Sequence, residues 1–156
     1  INLSSRTISR DEITGKQKPD ISGIAEKLEG KRILLAEDND LNAEIAETLL
    51  EEMKAEVIRA EDGNLCVDKL KEKPEGYFDM ILMDIQMPNI DGYTATKMIR
   101  SLKDSKAQIP IVAMTANAYE EDRQKAHEAG MNGFIAKPLD VDEMIRVLGE
   151  IMKTGG

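Results

Sequence analysis

The chain of 156 residues contains no tryptophan, one cysteine, one histidine and only 3% aromatic residues. A lone cysteine, Cys66, excludes an internal disulfide and fits a reducing compartment. It sits in a helix-like stretch and reads as a small core residue. The scarcity of aromatics, with no Ser/Thr/Gly-rich phosphate cradle after the first strand-like run, argues against a flavin binder. No run of about 18 apolar residues occurs, which excludes a spanning helix, and no charged-then-apolar leader opens the chain. Basic residues are also short: 21 Lys and Arg stand against 30 Asp and Glu, a net charge of −9. That imbalance disfavours the phosphate attraction on which nucleic-acid binding depends, so no direct nucleic-acid partner is expected.

What is present begins with a leader of different character. Residues 1–29 carry five basic and five acidic side chains among scattered Ser, Thr, Gly and Pro, and read as a linker or tether with disorder in part. Ile21, Ile24 and Leu28 have helical spacing and allow a short turn that packs on the domain. The chain starts with Ile rather than Met, which suggests a piece cut from a longer protein, and no effector domain is expected after the final helix. The whole net charge therefore falls on residues 31–156, and residues 30–153 read as one domain.

Within that domain short apolar runs alternate with amphipathic helices, the pattern of an α/β fold around a parallel sheet. The strands expected are RILLA (32–36), EVIRA (56–60), MILM (80–83), IPIVAM (109–114) and GFIA (133–136). Five helices follow them. The first, from about Leu41, repeats Leu41, Ile45, Leu49 and Met53 as a stripe facing the sheet. Others start near Gly63, Tyr93 and Asn117, and the last follows an N-cap at Asp140, with Glu143 three residues on.

In open parallel sheets the functional crevice lies beyond the carboxyl ends of the strands. Glu37 and Asp38 follow the first strand, Asp84 the third, Thr115 the fourth and Lys137 the fifth. If the strand order is 2-1-3-4-5, these groups share one rim. Each also fits a purely local role: Asp38 or Asp40 as a helix cap, Asp84 as a turn former, Thr115 as a residue before a helix, Lys137 as a solvated charge. After the second strand, Glu61, Asp62 and Gly63 need no more than a turn and a helix start. Crowded carboxylates about 4 Å apart repel by roughly 4 kcal/mol at an effective dielectric near 20, so such a rim needs a proton or a cation. Oxygen-only ligands suit Mg²⁺, with Mn²⁺ as an alternative. Asp84 can then attack phosphorus in line, with the metal and Lys137 offsetting charge on the phosphoryl oxygens.

These residues lie in LLAEDN, MDIQMPNIDG, MTA and GFIAKP, and from residue 31 to about 153 the chain resembles the response-regulator receiver family. The resemblance implies a flavodoxin-like fold, a five-stranded parallel sheet ordered 2-1-3-4-5 and flanked by five helices. It implies Asp84 as phosphoacceptor, and Glu37, Asp38, Asp84 and the backbone carbonyl of Gln86 as the Mg²⁺ site. Thr115 and Lys137 become the phosphate-sensing pair, and Phe134 the switch aromatic, without the hydroxyl of the tyrosine common there. A cis Lys137-Pro138 bond is implied too. AEDNDLN and MTANA are similar to receivers fused to hybrid sensor histidine kinases. The partners implied are a kinase phosphohistidine domain and a histidine phosphotransfer domain; homodimer formation stays open. The segment is expected in the cytoplasm with no membrane contact, its parent chain having any anchor in the inner membrane. It would catalyse only its own phosphorylation and dephosphorylation, whatever kinase activity the parent carries. A stand-alone regulator, an unphosphorylated docking module and a haloacid dehalogenase-type phosphatase are the alternatives; the last needs a second acid where Gln86 stands. The single histidine, His127, reads as solvated surface.

Overall fold

Three strand segments are apolar at every position rather than at alternate ones, which requires a sheet covered on both faces. The computed structural model describes residues 28–116, 119–137 and 139–155 and shows that sheet. Strands β1 (Arg32–Ala36), β2 (Glu56–Ala60), β3 (Met80–Asp84), β4 (Ile111–Thr115) and β5 (Gly133–Ala136) are all parallel. Their order is β2-β1-β3-β4-β5, which is 2-1-3-4-5. Helices α1 (Asp40–Glu52), α2 (Gly63–Glu72), α3 (Gly92–Arg100), α4 (Glu120–Ala129) and α5 (Val141–Gly155) flank the sheet, the first four making the crossovers. No helix among the described residues is long and apolar enough to cross a membrane.

Alternate strand residues feed two cores. Ile33, Leu35, Met80, Leu82, Val112 and Met114 pack with α1 and α5. Leu34, Ala36, Ile81, Met83, Ile111 and Ala113 pack with α2, α3 and part of α4, and Cys66 is fully buried among them. Burial pushes the Cys66 thiol up to about 12, with the charge of Asp62 adding to it. Leu28 is also fully buried in the first core, whereas Ile21, Ile24 and the rest of the leader through residue 27 lie outside the described residues.

Several expectations change in detail. The stripe Leu41, Ile45, Leu49, Met53 does not face the sheet as a unit: Leu41 is 65% and Ile45 41% exposed. An i, i+4 repeat drifts by about 40° per step around a 3.6-residue helix, so its first members rotate off the core. The buried face is Ala43, Ala46 and Leu50, continued by Met53. Strand β4 starts at Ile111, because Ile109 closes a 3₁₀ turn (Ser105–Gln108) and Pro110 has no N–H to give the sheet. Helix α4 starts at Glu120; residues 117 and 118 lie outside the described residues. The cap of α1 is Asn39, which accepts from the Asn42 amide, rather than Asp38 or Asp40. Asp140 caps α5 as expected, accepting from the Glu143 amide at 3.0 Å.

At the amino ends of the strands one guanidinium joins four segments. Arg100 donates to the carbonyls of Ala107 and Ile109 at 2.7 Å each, to Gly130 at 2.7 and 2.9 Å, and to Asn132 Oδ1 at 2.8 Å. Asn132 Oδ1 also accepts from the Ile111 amide at 2.9 Å, so the same cluster fixes the start of β4. Gly130 ends α4 at φ +106°, and a Cβ there would come within 3.0 Å of the Arg100 side chain. Removing the guanidinium strands several carbonyls at once. Arg100→Ala is expected to destabilise the domain by about 2–4 kcal/mol, read from the urea unfolding midpoint.

Candidate phosphoacceptor and metal site

The parallel register brings the carboxyl ends of β1, β3, β4 and β5 level. Asp84 is the last residue of β3, opposite Met114 of β4, and Thr115 is the last of β4, opposite Ala136. Glu37 directly follows β1, its amide donating to the Ala60 carbonyl at 3.1 Å. Lys137 directly follows β5, its amide donating to the Thr115 carbonyl at 2.8 Å. The strand ends thus fix the backbone beneath each side chain before any side-chain contact forms.

Glu37, Asp84 and Thr115 are buried, at 1%, 5% and 3% exposure, while Asp38 is exposed at the rim. Carboxylate oxygens of Glu37, Asp38 and Asp84 all lie within 4.8 Å of one another. Lys137 Nζ donates to Glu37 Oε1 at 2.9 Å and lies 3.2 Å from Asp84 Oδ2. The Gln86 amide donates to Asp84 Oδ1 at 3.2 Å, which places residue 86 beside the acceptor. An open cleft of about 710 Å³, lined by Asp38, Gln86, Met87, Thr115 and Lys125 among others, gives access from solvent. Close approach behind Asp84 is absolute at Gly92, where a Cβ would stand 2.5 Å from the Asp84 carbonyl oxygen.

Electrostatics follow from that crowding. Burial first, and then the charge of Glu37, push Asp84 up to about 7, against the opposing pull of Lys137. Burial also works against charge on Lys137, but its hydrogen bond to Glu37 and the charges of Asp84 and Glu37 outweigh that, so its value is raised. The all-oxygen set of three carboxylates is suited to Mg²⁺, a hard cation that accepts such ligands and keeps part of its water shell.

Glu37, Asp38, Asp84 and Lys137 meet at one place, Gln86 and Thr115 line the adjoining cleft, and Phe134 is set back on β5. Phe134 is half-buried, and the guanidinium carbon of Arg123 sits 4.8 Å from its ring centroid. Pro138 lies outside the described residues. Sequence reasoning missed a link from the second strand's turn: Asp62 caps α2 through Oδ1 and accepts from Asn89 Nδ2 through Oδ2 at 2.9 Å. Asn89 adopts φ +73°, a conformation Asn tolerates better than most residues, so Asp62 steadies the loop that follows Asp84. The Pro-Asn pair in that loop was the available signal.

The sequence profile of the response regulator receiver domain matches residues 33–149. The chain belongs to that family. Over 130 residues, 79% of the chain, it is 43% identical to a histidine protein kinase of Candida albicans, and it spans 5% of that kinase's length. Among solved structures it is similar to the receiver domain of a sensor histidine kinase from Pseudomonas aeruginosa, which has a magnesium ion coordinated in its active-site cleft. That likeness has 37% identity, a TM-score of 0.71, and covers 80% of this chain and 98% of the other. A further likeness, with 31% identity and a TM-score of 0.66, is to the receiver domain of the response regulator Ssk1 from Saccharomyces cerevisiae. That domain was crystallised with the histidine phosphotransfer protein Ypd1, and the match covers 75% of this chain and 85% of the other. This receiver carries Gln86 where the dehalogenase-type alternative needs an acid.

A raised carboxyl makes stability fall with pH. The native state keeps the Asp84 proton up to about 7, whereas the unfolded chain loses it near the ordinary value of about 3.9. The stabilising contribution is therefore complete below about 4 and lost as pH rises through about 7. In chelator, Asp84→Asn is expected to melt several degrees above the parent at about pH 8, with the gain shrinking toward about pH 5. Differential scanning calorimetry at both values checks it.

Proposed function

We propose that Asp84 is the phosphoacceptor of a phosphorelay, within a chain of hybrid sensor histidine kinase type, and that it receives its phosphoryl group from a phosphohistidine. The observation that carries this reading is the ammonium of Lys137, held within 3.2 Å of Asp84 and 2.9 Å of Glu37 beside an open cleft. In the transfer, an Asp84 carboxylate oxygen bonds to phosphorus as the phosphorus–nitrogen bond to imidazole breaks, and the imidazole leaves with the electron pair. Glu37, Asp38, Asp84 and the carbonyl of Gln86 would hold Mg²⁺, which favours the ionised nucleophile and offsets charge on the phosphoryl oxygens. Lys137 Nζ and the Thr115 hydroxyl donate to those oxygens.

Thr115 then moves toward the phosphoryl group. Phe134, opposite Ala113 in the register and two residues before the partner of Thr115, turns toward the space released. The face made by α4, β5 and α5 changes as a result, and the ring must leave the Arg123 guanidinium to do so. Residues 30–153 form the receiver, and residues 1–29 act as a tether that raises its effective concentration near its kinase. An aspartyl phosphate is a mixed anhydride, so the group can pass onward to a histidine phosphotransfer domain. The likeness to the Ssk1 receiver supports that partner. So does the exposure of Leu41 and Ile45 on α1, the helix that starts three residues after Glu37.

Incubation with acetyl phosphate and Mg²⁺ is expected to add one phosphoryl mass, detected by intact mass spectrometry. Asp84→Asn should gain none; equal gain by that variant would sink the assignment.

Transfer from the phosphorylated domain to a helical phosphotransfer partner is expected to slow about tenfold in Leu41→Asp/Ile45→Asp, equivalent to ~1.4 kcal/mol. Phosphorylation by acetyl phosphate should be unchanged in the same protein. Label that stays on Asp84 until hydrolysis with every phosphotransfer domain tried would favour a stand-alone regulator.

A further inference from the structure

Strand β2 lies at the sheet edge and supplies no carboxylate to the site, yet one of its side chains reaches the loop that does. Arg59 Nε donates to the backbone carbonyl of Glu37 at 3.0 Å, and Nη1 donates to Asp40 Oδ1 at 2.9 Å. One rigid guanidinium therefore grips the residues on either side of Asp38 and Asn39. The Glu37 amide is already held by Ala60, the neighbour of Arg59, and the Asn39 amide donates to Glu37 Oε2 at 3.2 Å. Asp38 is exposed at the rim, and the contacts that hold Glu37, Asn39 and Asp40 set where it stands.

We propose that Arg59 is a positioning residue that presets the Glu37–Asp40 loop for divalent-cation binding by Glu37 and Asp38. The proposal rests on reading the carboxylate cluster as the Mg²⁺ site. The ion pair to Asp40 does not by itself account for the side chain, because the Asp40 side chain is 91% exposed and such pairs contribute little. Nη2 is buried with no hydrogen-bond partner among the described residues, an arrangement that costs desolvation. The contact that a guanidinium makes well, and a lysine does not, is the planar fork that spans the Glu37 carbonyl and the Asp40 carboxylate together. Residues that orient metal ligands in this way commonly govern affinity as strongly as some ligands do.

Charge and position predict opposite signs, which makes the proposal decidable. As a cation beside an acidic cluster, Arg59 repels Mg²⁺, and its removal would tighten binding. As a brace, its removal loosens the loop and weakens binding. The experiment titrates Mg²⁺ into the intact chain and into Arg59→Met, Arg59→Lys and Asp40→Asn. Two readouts are followed: backbone amide shifts of the Glu37 and Asp84 loops, and acetyl phosphate phosphorylation as a function of Mg²⁺. Arg59→Met is expected to raise the half-saturating Mg²⁺ about tenfold while the phosphorylation rate at saturating Mg²⁺ stays near the parent's. Arg59→Lys should shift less in the same direction, and Asp40→Asn hardly at all. Unchanged or tighter half-saturation in Arg59→Met overturns the proposal, as does a lower maximal rate at unaltered half-saturation. Should Arg59→Met fail to fold, Arg59→Lys decides, and parental half-saturation in that variant overturns it. A parent chain that shows no Mg²⁺-dependent shifts overturns the metal site itself, an outcome distinct from any difference between parent and variant.

Discussion

Two carboxylates buried at the ends of neighbouring strands repel each other, and the ammonium of Lys137 is the contact that lets Glu37 and Asp84 stay side by side. Everything around the site serves that arrangement. The parallel register sets the heights, the Thr115 carbonyl fixes the lysine backbone, and Gly92 lets the next helix start directly behind Asp84. The pair is satisfied by Lys137 yet still favours a proton or a second cation, as the raised Asp84 shows. A neutral or fully solvated site would lack that pull.

Most of the fold was legible because its strands are buried on both faces. A continuous apolar run such as MILM, set between polar helices and too short to be a helix itself, is best accommodated as a central strand, and the residue after each run then falls at one rim. Topology did the rest: once β1 and β3 are neighbours, Glu37 and Asp84 must meet. Less legible were features set by small angular differences. The stripe on α1 repeated every four residues and drifted away from the sheet, and two alanines, Ala43 and Ala46, took its place. Alanines carry little hydrophobic signal but allow close approach. Ile109 and Pro110 looked like strand because they are apolar, while the missing N–H of Pro110 delayed β4.

The supports of the site were the least visible of all. Arg59 is one basic residue in an edge strand, and Asp62 is one acid in an ordinary turn; neither residue type points by itself to a role. Their effect depends on reach, since a long guanidinium or a cap with a second free oxygen can touch a loop that is distant in sequence. The division is physical. The clustered Glu37, Asp84, Thr115 and Lys137 sit at strand ends, where order alone brings them together, and groups that steady them act through side-chain geometry. Exposure follows the same division: the apolar surface of α1, Leu41 and Ile45, starts beside the acid pair.

Burial of the lone thiol decides how the domain meets oxidants. Burial holds the Cys66 thiol far above its ordinary value and leaves it without solvent exposure, so the thiol form dominates at neutral pH. Peroxide and disulfide exchange need the thiolate at a surface. The receiver therefore presents no exposed thiolate at Cys66. The same inertness makes the chain a clean background for reporter chemistry: a cysteine introduced on any surface helix would be the only sulfur nucleophile available to a maleimide.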